Sequence, residues 1–240
     1  MVTAVQTKEL TSLITRWNAA ETDVRAALRE AVELFHPAIA LATSFSPEDT
    51  VLTDWLVAIH PAARLFALDT GRLPEETYQV AEATRQRFGV AIEWLHPDAA
   101  AVQTLLEKDG PMGFRFSVAN RLRCCDVRKV EPLQRALTGL WAWTTGQRRS
   151  QSVTRQDLQV AELDAAHGGI LKLNPLAHWS SEKVWEHIRQ HGLPYNKLFT
   201  QGYQSIGCAP CSRAVRPGED ERAGRWWWES AGHKECGLHT

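Results

Sequence analysis

Four short apolar runs, separated by helix-length stretches, constrain this chain more than any other feature. They are Ala38-Ile39-Ala40-Leu41-Ala42, Arg64-Leu65-Phe66-Ala67-Leu68, Val90-Ala91-Ile92-Glu93-Trp94-Leu95 and Leu140-Trp141-Ala142-Trp143-Thr144-Thr145. Continuous apolar runs of this length are typical of parallel strands buried on both faces. The stretches between them carry helix signals. Ser46 fits an N-cap, Pro47 the first helical position and Asp49 the third position of a capping box. Val51, Leu52, Trp55, Leu56 and Ile59 then share one face. Pro74 opens a second helix, which passes Tyr78, Ala81 and Phe88 and stops at Gly89. A third covers residues 98–108 and ends at Gly110-Pro111. Strands alternating with such helices predict right-handed βαβ units and an open parallel sheet, an α/β fold of Rossmann-like type. Ligands of such sheets sit beyond the carboxyl ends of the strands. The loops at Ser44, Asp69 and Gly146 belong to that edge.

The rest of the chain is less periodic. Residues 7–34 read as a helical covering layer, with Leu10, Leu13, Ile14, Trp17, Val24, Ala27, Leu28 and Ala31 at helical spacing. Residues 111–123 read as a loop, and a helix is expected from about Cys124, broken or kinked near Pro132. Residues 151–170 are irregular, and Ile170–Leu173 is expected as an edge strand. Ser181 to His191 is a helix stopped by Gly192. The tail is expected to hold a short charged helix around Trp226-Trp227-Trp228. No internal repeat is visible, so one domain with an appended tail is the natural division: 1–204, then 205–240.

Bulk charge points to neither of two partner classes. The 240 residues include 27 basic and 28 acidic side chains, a net charge of -1, so neither a nucleic-acid nor a membrane-surface binder is indicated. No apolar run of signal-peptide or membrane-spanning type occurs. The expected compartment is the cytoplasm, where thiols stay reduced and cysteines read as metal-binding or catalytic. The ten tryptophans read as packing residues.

There are five cysteines. Cys208 and Cys211 form a Cys-x-x-Cys turn, whose thiolates converge on one metal centre. Their partners are the adjacent Cys124 and Cys125. A structural zinc site usually pairs such a turn with a similarly spaced second pair. Adjacent side chains diverge, so they reach two irons of a bulky cluster more easily than one small ion. A 4Fe–4S cluster is therefore favoured, with structural zinc or simply buried thiols as the alternatives. The fifth, Cys236, stands near Lys234, His233 and His239. Nearby cations raise the thiolate fraction, and terminal segments move unless tied down; an incidental terminal cysteine is the plain alternative.

Two further sets bear on an anion. The hydroxyl-rich Ser44–Thr50 turn, at a helix N-terminus, offers N–H groups, hydroxyls and the positive dipole end. It lacks the glycines and lysine of an ATP-splitting phosphate loop, and Glu48 is acidic, so a smaller anionic group fits better. An ordinary capped helix is the bland reading. Arg128, Lys129, Arg148, Arg149, Arg213, Arg216, Arg222 and Arg225 form a basic set, mostly solvated faces and salt bridges. Arg128 and Lys129 differ because they directly follow the cysteine pair.

Six stretches together resemble the assimilatory adenylyl-sulfate reductases, the iron–sulfur branch of the phosphoadenylyl-sulfate reductase family. They are Ser44-Phe45-Ser46-Pro47-Glu48-Asp49, Leu68-Asp69-Thr70-Gly71-Arg72, Arg123-Cys124-Cys125-Asp126-Val127-Arg128-Lys129, Thr145-Gly146-Gln147-Arg148, Ser205-Ile206-Gly207-Cys208-Ala209-Pro210-Cys211 and Lys234-Glu235-Cys236-Gly237-Leu238-His239. The resemblance implies the adenine nucleotide α-hydrolase-like fold, adenosine 5′-phosphosulfate as substrate, and reduced thioredoxin or glutaredoxin as partner. It implies a single 4Fe–4S cluster on Cys124, Cys125, Cys208 and Cys211, and Cys236 as the nucleophile. Lys129, Arg222 and Arg225 match the basic residues at the phosphosulfate, joined by Arg148. Ser44 and Ser46 match the modified phosphate loop; Asp69, Thr70, Gly71 and Arg72 match the adenosine site. It leaves room for a homo-oligomer. Rival readings are a reductase of 3′-phosphoadenylyl sulfate or of both nucleotides, an ATP-splitting thiolation or amidation enzyme, and an iron–sulfur nucleotide-binding redox sensor.

Overall fold

A computed structural model describes residues 4–229 and 237–238. Cys236 lies outside the described residues. The N-terminal layer is two helices, α1 (Ala4–Trp17) and α2 (Val24–Phe35). Residues 7–34 are thus not one helix. Asp23 ends the interruption by capping α2, its carboxylate accepting from the N–H groups of Arg25 and Ala26. The chain continues through β1 (Ile39–Thr43), α3 (Pro47–Ile59), β2 (Arg64–Leu68), α4 (Glu75–Phe88), β3 (Ile92–Leu95) and α5 (Ala99–Asp109). These match the sequence reading to within two residues.

Two segments depart from it. Residues 111–123 are not a loop: after a 3-10 turn at Gly113–Arg115, α6 (Val118–Cys125) begins, capped by the Ser117 hydroxyl at the Asn120 N–H. The helix then widens into a π-helical segment, Asp126–Val130, and resumes as α7 (Glu131–Leu137). The expected irregularity near Pro132 is this widening; Pro132 follows it directly, at the start of α7. Next come β4 (Ala142–Thr144), β5 (Ala161–Asp164), β6 (Ile170–Leu173) and α8 (Ser181–His191).

The six strands lie in the order β3-β2-β1-β4-β6-β5. All neighbours are parallel except β5 and β6. Ile170–Leu173 is therefore an interior strand, and the unforeseen β5 is the antiparallel edge. Its polar Glu162 and Asp164 hid it; Glu162 pairs with the buried Lys172 of β6 at 3.1 Å, and Asp164 accepts from the Trp143 indole at 3.1 Å. Nor is there a helix at Trp226–Trp228; described residues 212–229 form turns closed by a bridge between Ser212 and Arg225.

Side chains alternate across the sheet as the two-residue period requires. Ile39, Leu41, Leu65 and Leu171 face α1, α2, α3 and α8, through Trp17, Leu28, Leu52, Trp55 and Ile188. Ala40, Phe66 and Trp143 face Leu133, Ala136 and Leu137 of α7. Sequence order reverses across the sheet between β1 and β4. A crevice opens there at the carboxyl edge, the position at which open α/β sheets take ligands.

Candidate functional site

The crevice is a cleft of about 240 Å³. Its floor is the turn after β1. Phe45 takes a left-handed conformation there, φ 61°, which is unfavourable for a residue with a Cβ. Packing holds it: Phe45 is buried and its ring lies 5.5 Å from that of Trp94. The turn is organised by Asp49. Its carboxylate accepts from the Ser44 N–H at 2.7 Å, the Ser44 hydroxyl at 2.8 Å and the Ser46 N–H at 3.4 Å. The Ser46 hydroxyl oxygen in turn accepts from the Asp49 N–H, completing the capping box. Burial pushes the Asp49 carboxyl up to about 6, against the pull of the Ser44 bonds. The turn's own carboxylate thus occupies the donors that the sequence offered to an anion.

The β4 loop presses against this floor. A Cβ at Gly146 would overlap the Asp49 carboxylate and stand 2.8 Å from the Glu48 Cβ, so only glycine fits without displacement. Gln147 lines the cleft, and its side-chain carbonyl is buried without a hydrogen-bond partner.

Cations form the far wall. Lys129, Arg222 and Arg225 line the cleft together with Ser44, Ser46, Thr70 and Cys208. The π-helical segment delivers the first: Arg128 and Lys129, adjacent in sequence, are both buried. The tail delivers the others. The Arg213 N–H bonds to the Gly224 carbonyl, and the Trp226 N–H to the Cys211 carbonyl, which folds the tail back on itself. The Arg225 guanidinium lies so close over Gly207 that a Cβ there would collide with it. Arg225 Nε is buried without a hydrogen-bond partner, a donor still to be met. Leu238 lines the same cleft and packs against the core on the α7 side of the sheet.

Four thiols gather at this wall, Cys208 in the cleft lining and Cys124, Cys125 and Cys211 outside it. Cys124 and Cys125 end α6; Cys208 and Cys211 bracket a 3-10 turn in which the Cys211 N–H bonds to the Cys208 carbonyl at 2.9 Å. The Asp69–Arg72 loop joins them to the sheet. The Thr70 hydroxyl lies 3.3 Å from Cys208 Sγ, the Thr70 carbonyl accepts from Arg128 at 2.6 Å, and the Arg72 carbonyl accepts from the Ala209 N–H at 2.7 Å. Burial raises the Cys208 thiol, but Lys129, the Thr70 hydroxyl, Arg225 and Arg128 outweigh it and bring the thiol below its ordinary range. Cys211 is pushed up to about 12 by burial and by the charge of Cys208. Cys124 is also raised, by burial first. Among the described residues, no three cysteine sulfurs lie within 4.8 Å of one another.

Four of the candidate residues stand apart from the lining. The Asp69 carboxylate accepts from the Gly71 N–H at 2.8 Å and the Tyr78 hydroxyl at 2.9 Å. Gly71 turns the chain, and Arg72 reaches away to the Pro111 carbonyl at 2.7 Å. Arg148 is fully buried between two carboxylates, Glu48 at 2.7 Å and Glu221 at 3.3 Å, and also donates to the Ser150 hydroxyl. This group of the buried Glu48 and Arg148 with the half-buried Glu221 was not foreseen. It ties the β4 loop to the first turn of α3 and to the residue preceding Arg222. A buried ion pair between Arg121 and Glu229 at 2.8 Å, with Arg121 over the Trp226 ring, fixes the far end of the tail segment to α6. Neither group has a signal in sequence spacing: the partners stand 73 to 108 residues apart.

Comparison with known proteins agrees with this geometry. Residues 38–214 match the phosphoadenosine phosphosulfate reductase domain family. The chain is 52% identical over 201 residues to an adenosine 5′-phosphosulfate reductase of Allochromatium vinosum, covering 84% of this chain and 78% of that one. It is 48% identical to the enzyme of the same name from Burkholderia cepacia, covering 85% and 81%. Among solved structures, phosphoadenylyl-sulfate reductase from Candida auris in a phosphate complex superposes with a TM-score of 0.70 at 28% identity, covering 84% of this chain and 96% of that one. The fold, the cleft at the sheet's switch point and these likenesses agree, and the chain belongs to the phosphoadenosine phosphosulfate reductase domain family.

Proposed function

We propose that this chain is an adenylyl-sulfate reductase of sulfate assimilation, converting adenosine 5′-phosphosulfate to sulfite and AMP with reduced thioredoxin or glutaredoxin as electron donor. The observation that carries the reading is the convergence of Lys129, Arg222 and Arg225 on one cleft wall beside Cys208, with the Arg225 Nε buried and unpartnered. A dianionic phosphosulfate supplies an acceptor for the Arg225 Nε and two negative charges for the three cations. The names of the relatives at 52% and 48% identity support the substrate.

The chemistry follows from the charges. A thiolate approaching an already anionic sulfonyl group is repelled. Lys129, Arg222 and Arg225 offset that repulsion and stabilise charge building on the departing phosphate, electrostatic catalysis by groups already in place. Cys236 serves as nucleophile: its sulfur bonds to the sulfate sulfur, the sulfur–oxygen bond to AMP breaks, and an S-sulfocysteine forms. A thioredoxin thiolate then attacks the Cys236 sulfur and expels sulfite. The second thioredoxin thiol resolves the mixed disulfide, so two electrons pass from the dithiol to sulfur. Covalent catalysis divides one reduction into displacements. Leu238, two residues beyond Cys236, lines the cleft.

Cys124, Cys125, Cys208 and Cys211 would hold a 4Fe–4S cluster. Four thiolates around one zinc at ~2.3 Å would stand ~3.8 Å apart, a tighter set than these sulfurs form; the cations around Cys208 suit the net negative charge of a tetrathiolate centre of either kind. When bound, the cluster supplies a fixed field and joins the α6 and Cys208 segments. Residues 1–204 form the nucleotide-binding unit in this reading, and 205–240 the segment bearing the Cys-x-x-Cys turn and the nucleophile.

The test is sulfite release from adenylyl sulfate by the anaerobically purified chain with reduced thioredoxin, beside its iron and sulfide content. Sulfite release that is abolished in Cys236→Ser, with iron retained, is expected. Sulfite release undiminished in Cys236→Ser would overturn the mechanism; no turnover of adenylyl sulfate by the iron-containing chain would overturn the activity.

A further inference from the structure

We infer that Asp54, His187 and His191 form a second metal site, a two-histidine, one-carboxylate centre for a divalent first-row transition ion, on the face of the sheet where α3 packs against α8. The ligand atoms of all three lie within 4.8 Å of one another. His187 and His191 stand four residues apart on α8, the spacing that puts two side chains on one helix face. Asp54 comes from α3, and its Oδ2 lies 3.3 Å from His187 Nε2. The two imidazoles stack, with centroids 4.1 Å apart.

The surroundings suit a ligand set. Trp55 and Trp179 stand edge-on to His187 and restrict its ring. His187 and Asp54 are part-buried, so the ligand atoms sit at the rim of the α3–α8 contact, where an incoming ion and its waters can reach them. The site lies in the last turn of α8, where the helix dipole favours a cation. Two cations are near: Arg25, and Arg87, which donates to the His191 carbonyl at 3.1 Å. Both are held elsewhere, Arg25 over the Trp55 ring and Arg87 on the backbone, and neither takes the ring nitrogens. His191 is exposed, so rotation of its ring is the adjustment needed to close the set. Three protein ligands of nitrogen and oxygen, with remaining positions left to water, suit zinc, nickel or cobalt better than calcium or magnesium.

An ion here would join α8 to α3, and α3 begins at the Ser46 cap and the Asp49 carboxylate that form the floor of the cleft. Its effect is to stiffen that floor, and it takes no part in the thiol chemistry.

Calorimetric titration of the iron-containing enzyme with Ni2+ tests this, together with its melting temperature. One equivalent is expected to bind and to raise the melting temperature. His191→Gln and Asp54→Asn are each expected to weaken binding about tenfold or more and to abolish the thermal shift. A His233→Gln, His239→Gln variant controls for the tail histidines and is expected to bind as wild type does. Absence of binding to the wild type, equal affinity in His191→Gln, or loss of binding in the tail variant would each overturn the assignment.

Discussion

Asp49 is the acceptor around which the cleft floor is built, and its carboxyl is raised from 3.8 to about 6 by burial. The folded chain therefore keeps this proton to higher pH than the unfolded chain. Its contribution to stability is full below about pH 4 and is lost as pH rises through about 6. Asp49→Asn cannot ionise. Between pH 4 and pH 7 the stability of the wild type, read from urea midpoints, should fall relative to that variant by up to roughly 3 kcal/mol. Arg148 makes a different prediction. It is the shared counter-ion of Glu48 and Glu221, so Arg148→Ala leaves the buried Glu48 and the half-buried Glu221 without it and should destabilise by about 3 kcal/mol, the low end for breaking a buried pair. Lys129→Ala, by contrast, should keep its iron and lose about a hundredfold in kcat, because its charge is needed as charge develops on the substrate. Unchanged turnover with full iron content would remove Lys129 from the chemistry. Little of this was legible from single residues. The Ser46–Asp49 capping box can be read from its spacing, but the capture of Ser44 by the same carboxylate depends on the left-handed turn at Phe45.

At the scale of elements, the site is made by two departures from regularity. One is the π-helical widening at Asp126–Val130, which keeps both Arg128 and Lys129 buried beside the thiols. The other is the contact between the β4 loop and α3 at Gly146. Gly146→Ala should force the loop away from Asp49 and Glu48, raising KM for the nucleotide about tenfold while the fold persists. Steady-state kinetics with a far-ultraviolet spectrum would check this, and an unchanged KM would count against the loop as a wall. The sequence made the central strands and α3, α4, α5 and α8 visible, because each carries its own apolar period and its own stop signal. It hid α6, whose residues are polar and whose Arg121 is buried only because Glu229 meets it 108 residues later. It hid β5 for the same reason: the strand pairs at an edge, and its Glu162 and Asp164 are answered by Lys172 and Trp143 from other strands. Local pattern reports burial that an element brings about alone, and is silent where a distant partner makes a polar residue tolerable.

Across the whole molecule, the sheet's reversal between β1 and β4 provides the crevice, and the tail supplies its charge. Residues from Ala42 to Leu238 line one cleft, brought together from segments spread along most of the chain. No described helix is long and apolar enough to cross a membrane. The cysteines divide along the same line. Four are placed at the cationic wall, with Cys208 alone of them in the cleft lining, while the fifth, outside the described residues, is followed by Leu238 in the cleft. The account therefore turns on where the sulfonate goes. Intact mass spectrometry of the iron-containing enzyme, mixed with adenylyl sulfate and no reductant, measures this directly. One SO3 unit should appear on the chain, map to Cys236, and leave as sulfite when reduced thioredoxin is added. An adduct that persists in Cys236→Ser, or sulfite formed in turnover with no adduct at any time, would contradict it.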